Sequence, residues 1–291
     1  MKKIVSLLLA LALTAGLAAC GGSPAPSSAP SSAPSSAPAS GPASLPAASA
    51  PGGIEAFADL AGKNVAVNSV PISAEEFKAF YANTHGIEFA SVKVTPTVLE
   101  STMMVQNGQV DGAITPVAAT AEYFARQNAD LRAVISDVPT DVAIALDAGN
   151  TELQSELNGA IRTLKEDGTI DKLAAAWVDN VTDENLKAEP QEKIEGADTL
   201  YIGISGDVAP LDYVSADGTP AGFNVALMNE IGRLLGKNIE FVVVSTDAKF
   251  SSILSGKIDA FFWHISILPL PETIAVTDSY YSTYISALVK Q

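Results

Sequence analysis

Val105-Gln106-Asn107-Gly108-Gln109-Val110-Asp111-Gly112 is echoed later in the chain by Ile253-Leu254-Ser255-Gly256-Lys257-Ile258-Asp259-Ala260. In each stretch a helix-forming run stops at glycine, which ends a helix without the steric cost a side chain would bring. An apolar residue, an aspartate and a small residue then lead into a strand. A unit that occurs twice at this length predicts two similar lobes. Asp111 and Asp259 are expected to cap the turns where the strands begin. A catalytic carboxylate pair is the sharper reading, and it is disfavoured because equivalent positions in two lobes sit apart.

Outward from the repeat, strands alternate with capped helices. Val65-Ala66-Val67 reads as a short strand. Ser73-Ala74-Glu75-Glu76 has the spacing of a capping box, in which hydroxyl and carboxylate each satisfy a free backbone N–H. It opens a helix through Phe77 and Phe80. Thr97-Val98-Leu99-Glu100 repeats the signal and opens a helix to Asn107, with a strand at Gly112-Ala113-Ile114. Thr151-Glu152-Leu153-Gln154 opens a third capped helix, stopped near Gly168. In the later half, Leu200-Tyr201-Ile202-Gly203-Ile204 is a strand. Phe223 to Leu235 is an amphipathic helix ended by Gly236, and Ile239 to Val244 and Ala260-Phe261-Phe262 are strands. Strands spaced by helices of this length predict an α/β fold of parallel sheets with crossover helices.

Composition excludes several classes. With 291 residues, 47% hydrophobic and 17% charged, the chain can bury a sizeable core. Its net charge of −16, about −18 without Lys2 and Lys3, repels phosphate backbones, so nucleic acid is not an expected partner. Cys20 is the single cysteine, which leaves the folded part without a disulfide or thiolate metal site. His85 and His264 lie far apart in sequence, so no zinc-type cluster, and no metal or cofactor, is expected.

Residues 1–19 read as a signal peptide. Met1-Lys2-Lys3 is a basic start, and Ile4 to Leu17 is an apolar run shorter than the roughly 20 residues a spanning helix needs. Leu17-Ala18-Ala19-Cys20 resembles a bacterial lipobox, whose cysteine thiol accepts a lipid; the alternative is an ordinary secretory signal with a chance cysteine. Residues 20–53 form a lipid-anchored linker of Ser/Ala/Pro repeats such as Ser27-Ser28-Ala29-Pro30. Nothing there can bury a face, and extended polyproline chain at ~3.1 Å per residue would reach up to about 100 Å.

The folded part resembles a type 2 periplasmic solute-binding protein of the amino-acid-binding family. The family's first-lobe opening is matched by Thr199-Leu200-Tyr201-Ile202-Gly203-Ile204-Ser205, by Ala209-Pro210-Leu211, and by Asp217-Gly218 followed by Ala221-Gly222-Phe223-Asn224-Val225-Ala226-Leu227. Gly256-Lys257-Ile258-Asp259-Ala260 and Ser279-Tyr280-Tyr281 extend the match. The second lobe is matched by Asp59-Leu60-Ala61-Gly62-Lys63-Asn64-Val65-Ala66-Val67. The closing helices are matched by Glu156-Leu157-Asn158-Gly159-Ala160-Ile161 and Leu164-Lys165-Glu166-Asp167-Gly168-Thr169-Ile170, ending at Trp177. The resemblance implies a two-lobed fold with parallel-rich sheets and flanking helices, but in rotated order. Residues 54–145 are the second lobe, 146–196 the closing helices and joint, and 197–291 the first lobe. Gln291 would run on into Ile54, so the fold reads as circularly permuted, with a fragment of a tandem receptor as the alternative.

At the contact positions the chain departs from the family. The first-lobe arginine that clamps a ligand carboxylate falls at Pro271, and the neighbouring hydroxyl position at Leu268. The second-lobe aspartate that holds the ligand amine falls at Pro116. The Gly-Ser/Thr-Thr turn reads Val70-Pro71-Ile72, and the usual aromatic falls near Thr246. A desolvated carboxylate without its cation costs several kcal/mol, so free amino acids in the family's usual pose are disfavoured. Parallel α/β sheets bind ligands beyond strand C-termini. That places Trp263, His264 and Ser266 well, with Val208, Leu211 and Thr115 near. The candidate ligand-binding residues are Val208, Leu211, Trp263, His264, Ser266, Leu268, Pro71, Ile72, Ser73, Thr115 and Pro116. Alternatively, Trp263 fills space vacated by the missing clamp and His264 is incidental.

The resemblance implies an extracytoplasmic solute receptor, a monomer lipid-anchored at the outer face of the cytoplasmic membrane and working with an ABC transporter permease. Its ligand would be less polar than an amino acid. The alternative is a scaffold or sensor module that no longer binds a small molecule. An enzyme on this fold, as in the cyclohexadienyl dehydratase relatives, would need a positioned acid or base; His264 has no evident partner, so no enzymatic activity is expected.

Overall fold

A computed structural model describes residues 53–68, 70, 72–179, 188, 190–264 and 270–291, with side chains omitted at 246, 263 and 264. Cys20, residues 21–52 of the linker, Pro71, Ser266, Leu268 and residues 180–187 and 189 of the expected joint lie outside the described residues. The elements follow in order: β1 (Asn64–Asn68), α1 (Ala74–His85), β2 (Ser91–Thr95), α2 (Val98–Gln106), β3 (Gly112–Thr115), α3 (Ala118–Gln127) and β4 (Leu131–Asp147). Next come α4 (Thr151–Glu166), α5 (Thr169–Ala174), β5 (Thr199–Ile204), β6 (Asp207–Val208), β7 (Asp212–Val214), β8 (Pro220–Ala221) and α6 (Phe223–Leu235). The chain continues through β9 (Asn238–Val243), α7 (Lys249–Leu254), β10 (Ala260–His264), β11 (Ile274–Val276) and β12 (Tyr281–Lys290).

The helix signals act as local chemistry requires. Ser73 Oγ accepts from the Glu76 N–H at 3.2 Å, and Glu76 Oε2 accepts from the Ser73 N–H at 2.9 Å, completing the capping box of α1. Thr97 Oγ1 accepts from the Glu100 N–H at 3.1 Å and caps α2. The start of α4 corrects the reading of Thr151 as its cap. Asn150 is the capping residue, with Oδ1 accepting from the Leu153 N–H at 3.2 Å, and Thr151 is the first helical residue. Gly236 closes α6 in the left-handed conformation at φ 65.

One sheet runs through the fold in the order β2-β1-β3-β12-β4-β10-β5-β9, with β11 paired to β4. Each flank is parallel, as the helix spacing predicts: β1 with β2 and β3, and β5 with β9 and β10. The centre of this parallel-rich sheet is antiparallel. β12 runs antiparallel to both β3 and β4, and β4 antiparallel to β10. The cause is topological: β4 carries the chain out of the half containing β1–β3, and β12 carries it back, so the two links must oppose one another. Each serves both halves, β4 pairing Arg132 with Val289 and Ala143 with Trp263.

The core is correspondingly divided. Helices α4 and α6 cover β5 and the far end of β4 through Leu157, Ile161, Phe223, Leu227, Ile144 and Ile202. Around α2, Met104, Val105, Ala66 and Leu131 form a separate cluster. A third joins α1 to the links and to β10 through Phe77, Val65, Ile285 and Phe261. Along β12 the layer changes: Tyr281 packs on the α6 side, whereas Ile285, Ala287 and Val289 pack on the α1 side. The register between β12 and β4 shifts between Tyr284 and Ser286, where the change occurs. A small second sheet, β6-β7-β8, packs beside α6.

Candidate ligand site at the junction of the halves

Asp111 and Asp259 are spent on structure. Asp111 Oδ2 accepts from the Asn64 N–H at 2.9 Å and Asp259 Oδ2 from the Tyr201 N–H at 2.8 Å. Each is bound at the start of its own flank of the sheet, so they do not form the carboxylate pair weighed from sequence.

The other expected site residues fall in separate places. Val208 lies half-buried on β6, and the Leu211 N–H, in a buried residue, donates to the Val208 carbonyl at 2.8 Å. Thr115 ends β3 fully buried, its Oγ1 donating to the Val117 carbonyl at 2.8 Å, with Pro116 half-buried after it. Ser73 is exposed and occupied in its cap, and Ile72 packs against the α1 cluster. The backbones of Trp263 and His264 pair with Ala143 and Val142 on β4. Pro271 is exposed. Among the described residues, no hydrogen bond joins the Val208–Leu211, Thr115–Pro116 and Ile72–Ser73 groups to one another.

A polar contact that sequence reasoning missed does span the junction. Asp207, on β6, accepts through Oδ2 from the N–H of Val98, the first residue of α2 in the other half, at 3.1 Å. Behind it stands a buried polar chain. Lys249 Nζ donates to Ser205 Oγ at 2.8 Å, and the Ser205 N–H donates to Asp212 Oδ1 at 2.8 Å. Asn224 Nδ2 donates to Asp212 Oδ2 at 2.8 Å, and the Tyr280 hydroxyl donates to Asn224 Oδ1 at 2.6 Å. Lys249 also lies 5.4 Å from the centre of the Phe261 ring.

Burial dominates these electrostatics. It raises the Asp212 and Asp207 carboxyls above their ordinary range, against the opposing pull of Lys249. It likewise lowers the Lys249 ammonium, which both aspartates push back up. The junction is also aromatic and acidic on its α3 side. Burial raises Tyr213 on β7, and Tyr123 on α3 adds to the shift. Burial raises Tyr281 too, helped by Asp179 and by Glu122 on α3. Several buried side-chain atoms lack a protein partner, among them Asn68 Oδ1 at the end of β1, Thr120 Oγ1 on α3 and Thr140 Oγ1 on β4. A buried polar atom left so is a point where water or a solute gains a hydrogen bond. A shallow groove on α1, lined by Glu75, Lys78 and Phe89, contains none of the expected site residues.

The signal for this network was weak in the sequence. Gly206-Asp207 and Lys249 carry no motif, and only the pairing of strands brings them to one place.

Comparison with known proteins matches the chain in two stretches. Residues 200–291 match the model of bacterial extracellular solute-binding proteins, family 3, and residues 42–152 match that of the NMT1/THI5 like family. The amino-acid-binding protein AabA of Dichelobacter nodosus is 30% identical over 132 residues, 44% of this chain and 51% of that protein. The ABC transporter arginine-binding protein 2 of Escherichia coli (strain K12) is 37% identical over 79 residues, 25% of this chain and 32% of that protein. The chain thus spans about half the length, or less, of the curated relatives it matches. Among solved structures, the ligand-binding component of an ABC-type import system from Staphylococcus aureus superposes with a TM-score of 0.41 at 10% identity, covering 78% of this chain and 66% of that one. A periplasmic binding protein from Brucella ovis gives 0.41 at 14% identity, covering 79% and 62%.

Proposed function

The chain is a type 2 solute-binding protein along its two matched stretches, and we propose that it is the extracytoplasmic solute receptor of an ABC-type import system. It binds its solute, as the description of the matched family says of that family. The observation that carries the reading is the junction itself. Two halves, each with parallel strands at its flank, are tied by β4 and β12, and the Asp207 carboxylate reaches across to the backbone N–H of Val98. Among the described residues no helix is long and apolar enough to cross a membrane. We assign attachment instead to a lipid on Cys20, with the chain held at the outer face of the cytoplasmic membrane. The Cys20→Ala variant should then remain uncleaved and without lipid, and mature wild-type protein free of acyl chains would overturn the assignment.

The ligand is proposed to be less polar than an amino acid, or cationic. Pro271 and Pro116 stand where the family's clamp residues would, and a proline offers neither a side-chain partner nor a backbone N–H. Trp263 offers a flat apolar face suited to stacking or a cation–π contact. Tyr123, Tyr213 and Glu122 add aromatic and acidic character on the α3 side. A thermal-shift screen against a broad metabolite set tests the reading, because a ligand of the folded state alone adds ~2.7 kcal/mol at a hundred times its Kd. Calorimetry with the twenty standard amino acids should show weak or no binding, and Trp263→Ala should weaken the true ligand by more than about 1 kcal/mol. Micromolar binding of an amino acid through its carboxylate and amine would refute the ligand class. A screen without hits favours the second reading, a scaffold or sensor module that binds no small solute.

The rotated order of the halves is proposed to be a circular permutation. It is supported by the position of the chain at Gln291 and Ile54. The Gln291 N–H donates to the Asp130 carbonyl at 3.0 Å, and Arg132 holds the Ile54 carbonyl and Glu55.

A further inference from the structure

Asp207 is held from two sides. On its own half it pairs with Tyr213 in the β6–β7 ladder, and Lys249 of α7 supplies a nearby positive charge. On the other half it meets α2, a helix of nine residues. The first N–H groups of a helix have no partner within it, and the helix dipole makes that end positive. Thr97 Oγ1 already takes the Glu100 N–H, and the Val98 N–H is left for Asp207. The carboxylate therefore sits at the end of a helix to which it is joined only across the junction.

Among the described residues the chain crosses between the halves at β4 and β12, whose mutual ladder is continuous except at the register shift between Tyr284 and Ser286. That shift is where β12 changes the layer it faces. The Asp207 contact adds a polar tie between the halves to the strands and to the apolar cluster that joins α1 to β10. Burial opposes the charge on Asp207, while the Val98 N–H and Lys249 favour it. A carboxylate that regains water on opening loses little by letting go.

We propose that Asp207 is a reversible latch, an internal anion that draws the two halves together at the N-terminus of α2 in the absence of solute. This goes beyond the receptor reading and does not depend on the ligand's identity. The latch makes closure an intrinsic property of the chain, which a solute entering beside α2 must either preserve or displace.

The test is amide hydrogen exchange and small-angle scattering on the full chain without solute, comparing wild type with Asp207→Ala and Asp207→Asn. With a latch, Asp207→Ala raises exchange of the Val98 amide at least tenfold and increases the radius of gyration. Asp207→Asn, which keeps an acceptor oxygen without the charge, gives a smaller change in both. Should Asp207→Ala fail to fold, Asp207→Asn decides the matter by the same two readouts. Unchanged Val98 exchange overturns the proposal. So does faster Val98 exchange at constant radius of gyration, because it makes Asp207 a mere helix cap. Solute binding is measured separately by thermal shift, so failure of the latch and failure of the receptor reading remain distinguishable.

Discussion

Asp111 and Asp259 hold matching positions in the two halves, each gripping both backbone groups of a single residue on the neighbouring parallel strand. The Asp111 carboxylate accepts from the Asn64 N–H at 2.9 Å, while the Asp111 N–H donates to the Asn64 carbonyl at 2.7 Å. Asp259 does the same for Tyr201, at 2.8 Å in both directions. A hydrogen bond to a charged group contributes more than a neutral one, about 1.5–3 kcal/mol when well shielded. Asp111→Ala should therefore destabilise by about 1–2 kcal/mol in urea unfolding, and Asp259→Ala, beside the more exposed Tyr201, by about 1 kcal/mol or less. Neither should alter solute affinity; a large loss of binding with stability intact would return these residues to the site.

Lys249 and Asp212 should prove strongly coupled through Ser205. Both are buried, at 6% and 4% exposure, and Ser205 contacts one through its hydroxyl and the other through its N–H. Removing Lys249 takes the nearby cation from Asp212, a loss of about 3–5 kcal/mol for a buried pair, whereas removing Asp212 leaves Lys249 with Asp207 and costs less. The Lys249→Met variant should be markedly destabilised, and Asp212→Asn less so. The double variant should cost less than their sum by about 1–3 kcal/mol. Strict additivity would show that the two charges do not sense each other.

The same carboxylate sets a pH dependence. Burial lifts Asp212 above its ordinary value in the fold, so the folded chain holds a proton where the unfolded chain has released it. Its contribution to stability is then fully present below the unfolded value of about 3.9 and is lost as pH rises through the raised folded value. Relative to wild type, Asp212→Asn should gain stability as pH rises from about 4 to 7. Denaturation midpoints across that range check it. A relative loss for Asp212→Asn would mean that Lys249 and the hydrogen bonds outweigh burial.

Fusing Gln291 to Ile54 and reopening the chain between about Lys187 and Gly196 should give a protein of unchanged stability. Gln291 and Ile54 are both anchored within Asp130–Arg132, so a short join has little distance to cover. Thermal unfolding of the rearranged chain checks this. A split transition, or an obligate dimer, would contradict the permutation.

Much of the fold was legible because its signals are local. The Ser73–Glu76 box, the glycine stops at Gly108 and Gly236, and the two Asp-led strands each depend on residues close in sequence. The links were not legible. Residues 131–147 and 281–290 mix apolar and polar positions without one period, since each strand faces one layer at one end and another layer at the other. The cap of α4 was misplaced by one residue because Asn150 and Thr151 are both competent caps, and backbone geometry chose between them. The candidate site was least legible. Asp207 acts on Val98 and Lys249 on Ser205, across separations that no motif spans.

The central strand has a consequence for the order of assembly. β12 lies between β3 and β4, with Ser286 beside Thr115 and Val289 beside Arg132. During synthesis, strands made early must wait for residues 281–290 before the middle of the sheet can zip. Pairings this distant in sequence are slow to form, because a long loop must close before any contact rewards it. The middle of the sheet therefore stays open in the nascent chain until residues 281–290 have been made.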